Sequence, residues 1–159
     1  MMGAAMRTRF RKYAGVAATA CAAMLVACGG PAVGPEESLR AWVAKGIAAA
    51  EAKERRVLVD MIASSYVDAR GNERDDIENL LRLYLMRQNR IALLTTIDEI
   101  TIYDDTAARL DLTVGMASTN DRALGFSADA YRFQFEVERD SDDWKLISAR
   151  WGELGQELR

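Results

Sequence analysis

The chain has no histidine. That absence removes the commonest general base, the commonest metal ligand and every nucleophilic triad built on imidazole. Cysteine and proline are nearly missing too: Cys21, Cys28, Pro31 and Pro35 are the whole supply, and all lie in the first 35 of 159 residues. Acid is missing from the first 27 residues, which carry Arg7, Arg9, Arg11 and Lys12. The remainder then holds 17 basic residues against 24 acidic ones, a net of −7 that the whole-chain value of −3 conceals. A domain with that balance repels phosphate backbones, so nucleic acid is not an expected partner. A long hydrophobic run is also lacking. Tyr13 to Ala27 is apolar for only 15 residues, too short for a helix to cross a ~30 Å hydrocarbon core at ~1.5 Å per residue.

What is present begins with that short run. It follows the basic stretch Met1 to Lys12 and precedes a Gly/Pro linker, so residues 1–27 read as a secretory signal peptide. Its last residues, Leu25-Val26-Ala27-Cys28, resemble the lipobox of bacterial lipoproteins. The resemblance implies that Cys28 becomes the first mature residue and carries a diacylglyceryl thioether, with its amino group acylated as well. Two or three acyl chains hold a protein at a membrane durably, since each buried CH₂ adds ~0.8 kcal/mol. Gly29 after the cysteine, by the sorting habit of that family, implies the outer membrane, facing the periplasm. Cys21 would leave with the leader, so neither thiol catalysis, a disulfide nor a cysteine-ligated metal is expected. Residues 28–34 form a short tether.

Half of the residues are apolar, enough for one domain with a real core. Pro35, Glu36 and Glu37 open a helix, proline suiting its first turn and the acids its positive end. Leu39, Trp42, Val43, Gly46, Ile47 and Ala50 make one apolar stripe over about 19 residues of α-helical spacing. A second helix is expected from Glu54 to about Ser64, with Val57, Leu58, Met61 and Ile62 inward. Tyr66 to Gly71 reads as an extended piece ending in a turn. Asn72 is the expected cap of a third helix, whose face carries Ile77, Leu80, Leu81, Tyr84 and Leu85.

From Ile91 the period changes to two. Leu110, Leu112, Val114 and Met116 alternate with Arg109, Asp111 and Thr113. Tyr131, Phe133, Phe135 and Val137 alternate with Arg132, Gln134, Glu136 and Glu138. One polar and one apolar face is the pattern of an antiparallel sheet buried on one side. Ile91 to Tyr103, Ala107 to Ser118, Phe126 to Arg139 and Trp144 to Trp151 are the four strands. Ile97 and Ile100 can share a face only if an extra residue is inserted, which predicts a bulge at Asp98-Glu99 and a bent sheet. Residues 153–159 read as a frayed tail. The fold class is therefore α+β: three helices packed on a curved four-stranded antiparallel meander, over residues 35–152.

Trp144 to Trp151 after an acidic turn, and Tyr66-Val67-Asp68-Ala69-Arg70-Gly71 leading into a helix, resemble the nuclear transport factor 2-like, or cystatin-like, superfamily, which includes the ketosteroid isomerase-like branch. The resemblance covers Pro35 to Trp151. It implies a cone-shaped fold with a pocket between sheet and helix, and dimers that often form through the outer sheet face. That face here is polar, so any homodimer is expected to be weak.

The isomerase-like branch uses an aspartate base before a glycine turn, and a protonated aspartate beside a tyrosine as oxyanion donor. By that resemblance Asp68 corresponds to the base and Asp129 to the donor. The helical tyrosine is missing from the first helix, which offers Trp42, and Tyr84 is the only substitute. Against this stands the plainer reading of Asp68 as a turn residue and Asp129 as a solvated strand entrance. Asp98 and Glu99 point to opposite faces unless the bulge reorients them. Asp140-Ser141-Asp142-Asp143 lacks the glycine and the bidentate glutamate of a calcium loop, so no metal and no cofactor is expected. Trp42, Tyr84, Tyr131, Phe133 and Trp151 are the candidates for lining a pocket. The expected function is a membrane-anchored, cell-envelope lipoprotein that binds a small apolar ligand or a protein partner without turnover. The alternative is an isomerase or lyase working through Asp68 and Asp129.

Overall fold

A computed structural model of the protein describes residues 34–119 and 126–159. The expected leader, the tether up to residue 33, Cys28 and most of the link between the second and third strands lie outside the described residues. Three helices come first, α1 (Pro35–Glu51), α2 (Arg55–Asp60) and α3 (Arg74–Arg87). Four strands follow, β1 (Arg90–Asp104), β2 (Ala107–Thr119), β3 (Phe126–Asp140) and β4 (Asp143–Glu153). They form one antiparallel sheet in the order β1-β2-β3-β4. This is the α+β order that the two hydrophobic periods predict.

The alternation sorts the sheet's faces as expected. Leu110 and Leu112 are 0% and 3% exposed, while their neighbours Arg109 and Asp111 stay on the outer side. There Arg109 Nε donates to Glu136 Oε1 (2.7 Å) and Gln134 Nε2 to Asp111 Oδ1 (3.1 Å). The inner face packs on α1: Leu39, Val43, Ala108, Leu110, Leu112, Val137 and Trp144 make one buried cluster. Trp144 Nε1 donates to Ser38 Oγ (2.8 Å), and Ser38 Oγ donates to Pro35 O (2.8 Å). The first turn of α1 is thereby tied to the start of β4. The β1–β2 register shifts between Ile97 and Glu99, so the extra residue sits at Asp98. Ile97 and Ile100 both pack against the core, which is the physical reason for the bulge.

The β3–β4 register shifts between Glu136 and Val137, where Ile147 of β4 is unmatched. Here the α2–α3 connection runs along β4. Leu146 N donates to Met61 O (2.8 Å), Ala63 N to Leu146 O (2.9 Å), Val67 N to Ile147 O (3.1 Å) and Ala69 N to Ala149 O (3.2 Å). This covers what would otherwise be a bare edge strand.

Three expectations need correction. α2 stops at Asp60 instead of about Ser64, because the chain from Met61 onward is bonded to β4. Asn72 does not cap α3. The N-cap is Glu73, whose N–H donates to Asp76 Oδ2 (3.0 Å) in a capping box, while Asn72 is held by Asp68. Residues 153–159 do not fray: Trp151 N donates to Arg159 O (3.1 Å) and Arg159 N to Trp151 O (3.3 Å). A Cβ on Gly152 would lie 2.7 Å from Glu157 O, so only glycine lets the tail return this closely.

Candidate functional site: an apolar cavity under the third helix

α1 lies against the sheet, but α3 packs mainly on α2. Of α3 only Leu85 is buried. The space left between α3, α1 and the inner sheet face is a cavity of about 530 Å³, within the range that holds small molecules. Trp42, Gly46, Ile47 and Ala50 of α1 form one wall, and Leu80, Leu81, Tyr84 and Leu85 of α3 another. The floor is Thr95, Leu112, Val114, Met116, Phe133 and Phe135, with Trp151 at the β4 side. Leu80 and Tyr84 line the cavity and are also 50% and 36% exposed, so they mark its mouth.

No Asp, Glu, Lys or Arg belongs to that wall among the described residues. An ionised group placed inside would meet no compensating charge. The wall's titratable side chains are two tyrosines. Burial, assisted by the Asp68 carboxylate, pushes the Tyr66 phenol well above its ordinary value, so near neutral pH it stays protonated and cannot serve as a base. Tyr84 Oη donates to Met116 Sδ (3.9 Å). Trp42 Nε1 and Thr95 Oγ1 are buried polar atoms of the wall with no hydrogen-bond partner among the described residues. Such atoms cost about 1–3 kcal/mol each unless something pairs with them.

Four of the five aromatic residues expected at a pocket, Trp42, Tyr84, Phe133 and Trp151, do line the cavity. Tyr131 does not. Its ring leans on Phe133 (6.3 Å between centroids, tilted 45°), although its cross-strand partner Val114 does line the cavity. Burial and the charges of Asp129 and Glu153 raise its phenol above the usual range.

The two carboxylates of the isomerase-like set are not brought together. Asp68 is buried in its own turn. Its Oδ1 accepts from the N–H groups of Arg70 and Asn72 (2.8 Å each) and its Oδ2 from Asn72 Nδ2 (2.7 Å). Gly71 at φ +82° closes that turn, and Asp68 is not part of the cavity wall. Asp129 is exposed on β3, opposite Met116. Ala69 is bonded to Ala149, which pairs with Phe135. Asp129 is six residues further along β3, about 20 Å at ~3.3 Å per residue. Acid–base work on one substrate needs both groups within ~3 Å of it. Tyr84 and Asp129 do share a rim, both beside Met116. Among the described residues no group of three or more His, Cys, Asp or Glu is placed to hold a metal ion.

No family model and no curated protein matches the chain. Solved structures do. A ketosteroid isomerase-like protein from Erwinia carotovora atroseptica is 9% identical at a TM-score of 0.61, over 75% of this chain and 95% of that one. A provisionally assigned dehydratase of the NTF2-like family from Streptomyces avermitilis is 13% identical at 0.65, over 77% and 98%. A provisionally assigned calcium/calmodulin-dependent protein kinase II association domain from Xanthomonas campestris is 20% identical at 0.63, over 80% and 93%. The chain has the nuclear transport factor 2-like fold. Those three names range from isomerisation to association, so the fold by itself does not choose among them.

Proposed function

We propose that this nuclear transport factor 2-like domain is a binding protein for a neutral, largely apolar small molecule, held at a membrane surface of the cell envelope by acyl chains on Cys28. One observation carries the reading: a cavity of about 530 Å³ whose wall, among the described residues, has no charged side chain. Apolar contact supplies ~25 cal/mol per Å² of buried surface. Trp42 Nε1 and Thr95 Oγ1 offer hydrogen bonds to one or two oxygens of the guest. A hydroxyl, carbonyl or ester suits them, and an ionised head does not.

The test is titration of the full chain with Nile red, a neutral apolar fluorophore, followed by emission. Wild type is expected to bind one equivalent. Val114→Trp, which places an indole in the cavity, is expected to weaken binding at least ten-fold with an unchanged far-UV circular dichroism spectrum. Equal binding by the two proteins contradicts the reading. The anchor is tested separately by membrane fractionation of cells. Cys28→Ser is expected to move the protein to the soluble fraction, and continued membrane retention contradicts acylation at that residue.

A further inference from the structure

The C-terminal half of α3 is at odds with the rest of the surface. Leu83 and Met86 are 49% and 79% exposed, and Leu80 and Tyr84 at the cavity mouth are 50% and 36% exposed. Large side chains left in water along one short stretch of helix are unusual unless something covers them. The charge changes there as well. From Asn79 to Ile97 the sequence contains no acid and three arginines, Arg82, Arg87 and Arg90, all exposed. The acids of this helix, Asp75, Asp76 and Glu78, are confined to its first half.

We infer that this face of α3, with the adjoining Arg90, docks on an anionic phospholipid bilayer. A helix that offers leucine, methionine and tyrosine beside arginines is built to lie in the headgroup boundary, with apolar side chains inserted and guanidinium groups on the phosphates. The domain's net negative charge does not prevent this. Fields fade over ~8 Å at physiological salt, so most of the domain's acids are screened, and the near ones, Asp129 beside Met116 and Glu51 on the N–H of Leu93, are outnumbered by Arg82, Arg87 and Arg90. Residues 28–34, when extended, span at most ~25 Å at ~3.5 Å per residue. An acyl anchor on Cys28 would therefore keep the domain within reach of the surface. Leu80 and Tyr84 belong both to this patch and to the cavity wall. Docking thus sets the mouth of the cavity against the lipid, giving an apolar guest a route that avoids water. This last consequence rests on the proposed binding function; the docking does not.

The test is hydrogen–deuterium exchange of the full chain carrying Cys28→Ser, with no Nile red or other guest present. Vesicles of phosphatidylcholine alone are compared with vesicles containing one-third phosphatidylglycerol. Any contribution of residues 1–27 is common to all variants, so exchange within residues 79–90 reports the patch itself. Anionic vesicles are expected to slow exchange there, and neutral vesicles are not. Arg82→Gln with Arg87→Gln is expected to require about thirty-fold more anionic lipid for the same protection, at about five-fold per arginine. Leu83→Ser with Met86→Ser is expected to abolish the protection, and unchanged circular dichroism shows that these surface variants fold. Exchange over 79–90 that ignores anionic vesicles overturns the inference. So does protection that is equal on neutral vesicles or that survives both double substitutions. Nile red binding that is lost while the vesicle effect remains would remove the ligand reading and leave the docking intact.

Discussion

Leu110→Ala is expected to lower the free energy of unfolding by about 2–5 kcal/mol. Leu110 is 0% exposed and pairs with Ile100 on one side and Phe135 on the other. It belongs to the cluster with Leu39 and Val43 of α1, so it joins helix and sheet at the point where the bulge bends β1. Neighbouring strands hold the backbone on both sides, which prevents collapse into the vacated space. Truncation therefore loses both transfer energy and packing contacts. A domain of this size has about 5–15 kcal/mol in all, so the change is a large share of the total. Urea denaturation measures it. Arg109→Ala, one residue away on the outer face, removes a part-exposed ion pair with Glu136 and a guanidinium contact with the Tyr103 ring, and is expected to cost much less, because solvent screens both. A Leu110→Ala loss no greater than that of Arg109→Ala would mean that α1 and the sheet do not share this core.

The second large effect is at Asp68. Asp68→Ala removes the acceptor of three hydrogen bonds, those from the part-buried N–H groups of Arg70 and Asn72 and from Asn72 Nδ2. Hydrogen bonds to a charged group contribute about 1.5–3 kcal/mol each, and water reaching the part-buried donors offsets some of that loss. A loss of about 3 kcal/mol or more is expected. Asp68→Asn keeps one oxygen for the two backbone donors but sets an amide group against Asn72 Nδ2, so a smaller loss of about 1–2 kcal/mol is expected. Thermal or urea unfolding of both variants distinguishes the roles. A general base changed to asparagine would leave stability untouched. If Asp68→Ala folds as stably as wild type, the turn does not depend on this carboxylate, and the case against a catalytic Asp68 weakens.

Much of the architecture is legible in the residues alone. The bulge at Asp98 follows from two isoleucines that must reach the same side, and the two-residue period across Leu110 to Met116 assigns the faces of the sheet. The departures from the sequence pattern share a cause: a side chain or backbone group is held by a partner distant in sequence. Asn72 has the right chemistry for a cap, but Asp68 holds it, so Glu73 takes the position. The second helix ends early because Met61, Ala63, Val67 and Ala69 bond to β4. The tail is held because Gly152 permits a close approach that no local pattern reveals.

The site was harder to read, since an aromatic stripe facing a core and one facing a cavity look identical in sequence. Trp42, Phe133 and Trp151 are legible because an inward position serves both. Tyr131 has the same parity, yet it stacks beside Phe133 and stays out of the cavity wall. The cavity exists because α3 rests on α2 and stands away from the sheet, and that separation has no local signature. Thr95, whose Oγ1 is one of the wall's buried polar atoms, is hidden from the sequence for the same reason. Its position in phase with Ile91 and Leu93 was the available signal.

The most direct measurement is methyl NMR of the leucine, valine and methionine side chains during titration with Nile red. The account predicts that Leu81, Leu112, Val114 and Met116 shift together and saturate at one equivalent, with ligand-to-methyl Overhauser effects from both α3 and the sheet. Shifts confined to Leu83, Leu94 and Leu154, or no saturable shifts at all, would show that the space beneath α3 takes no guest.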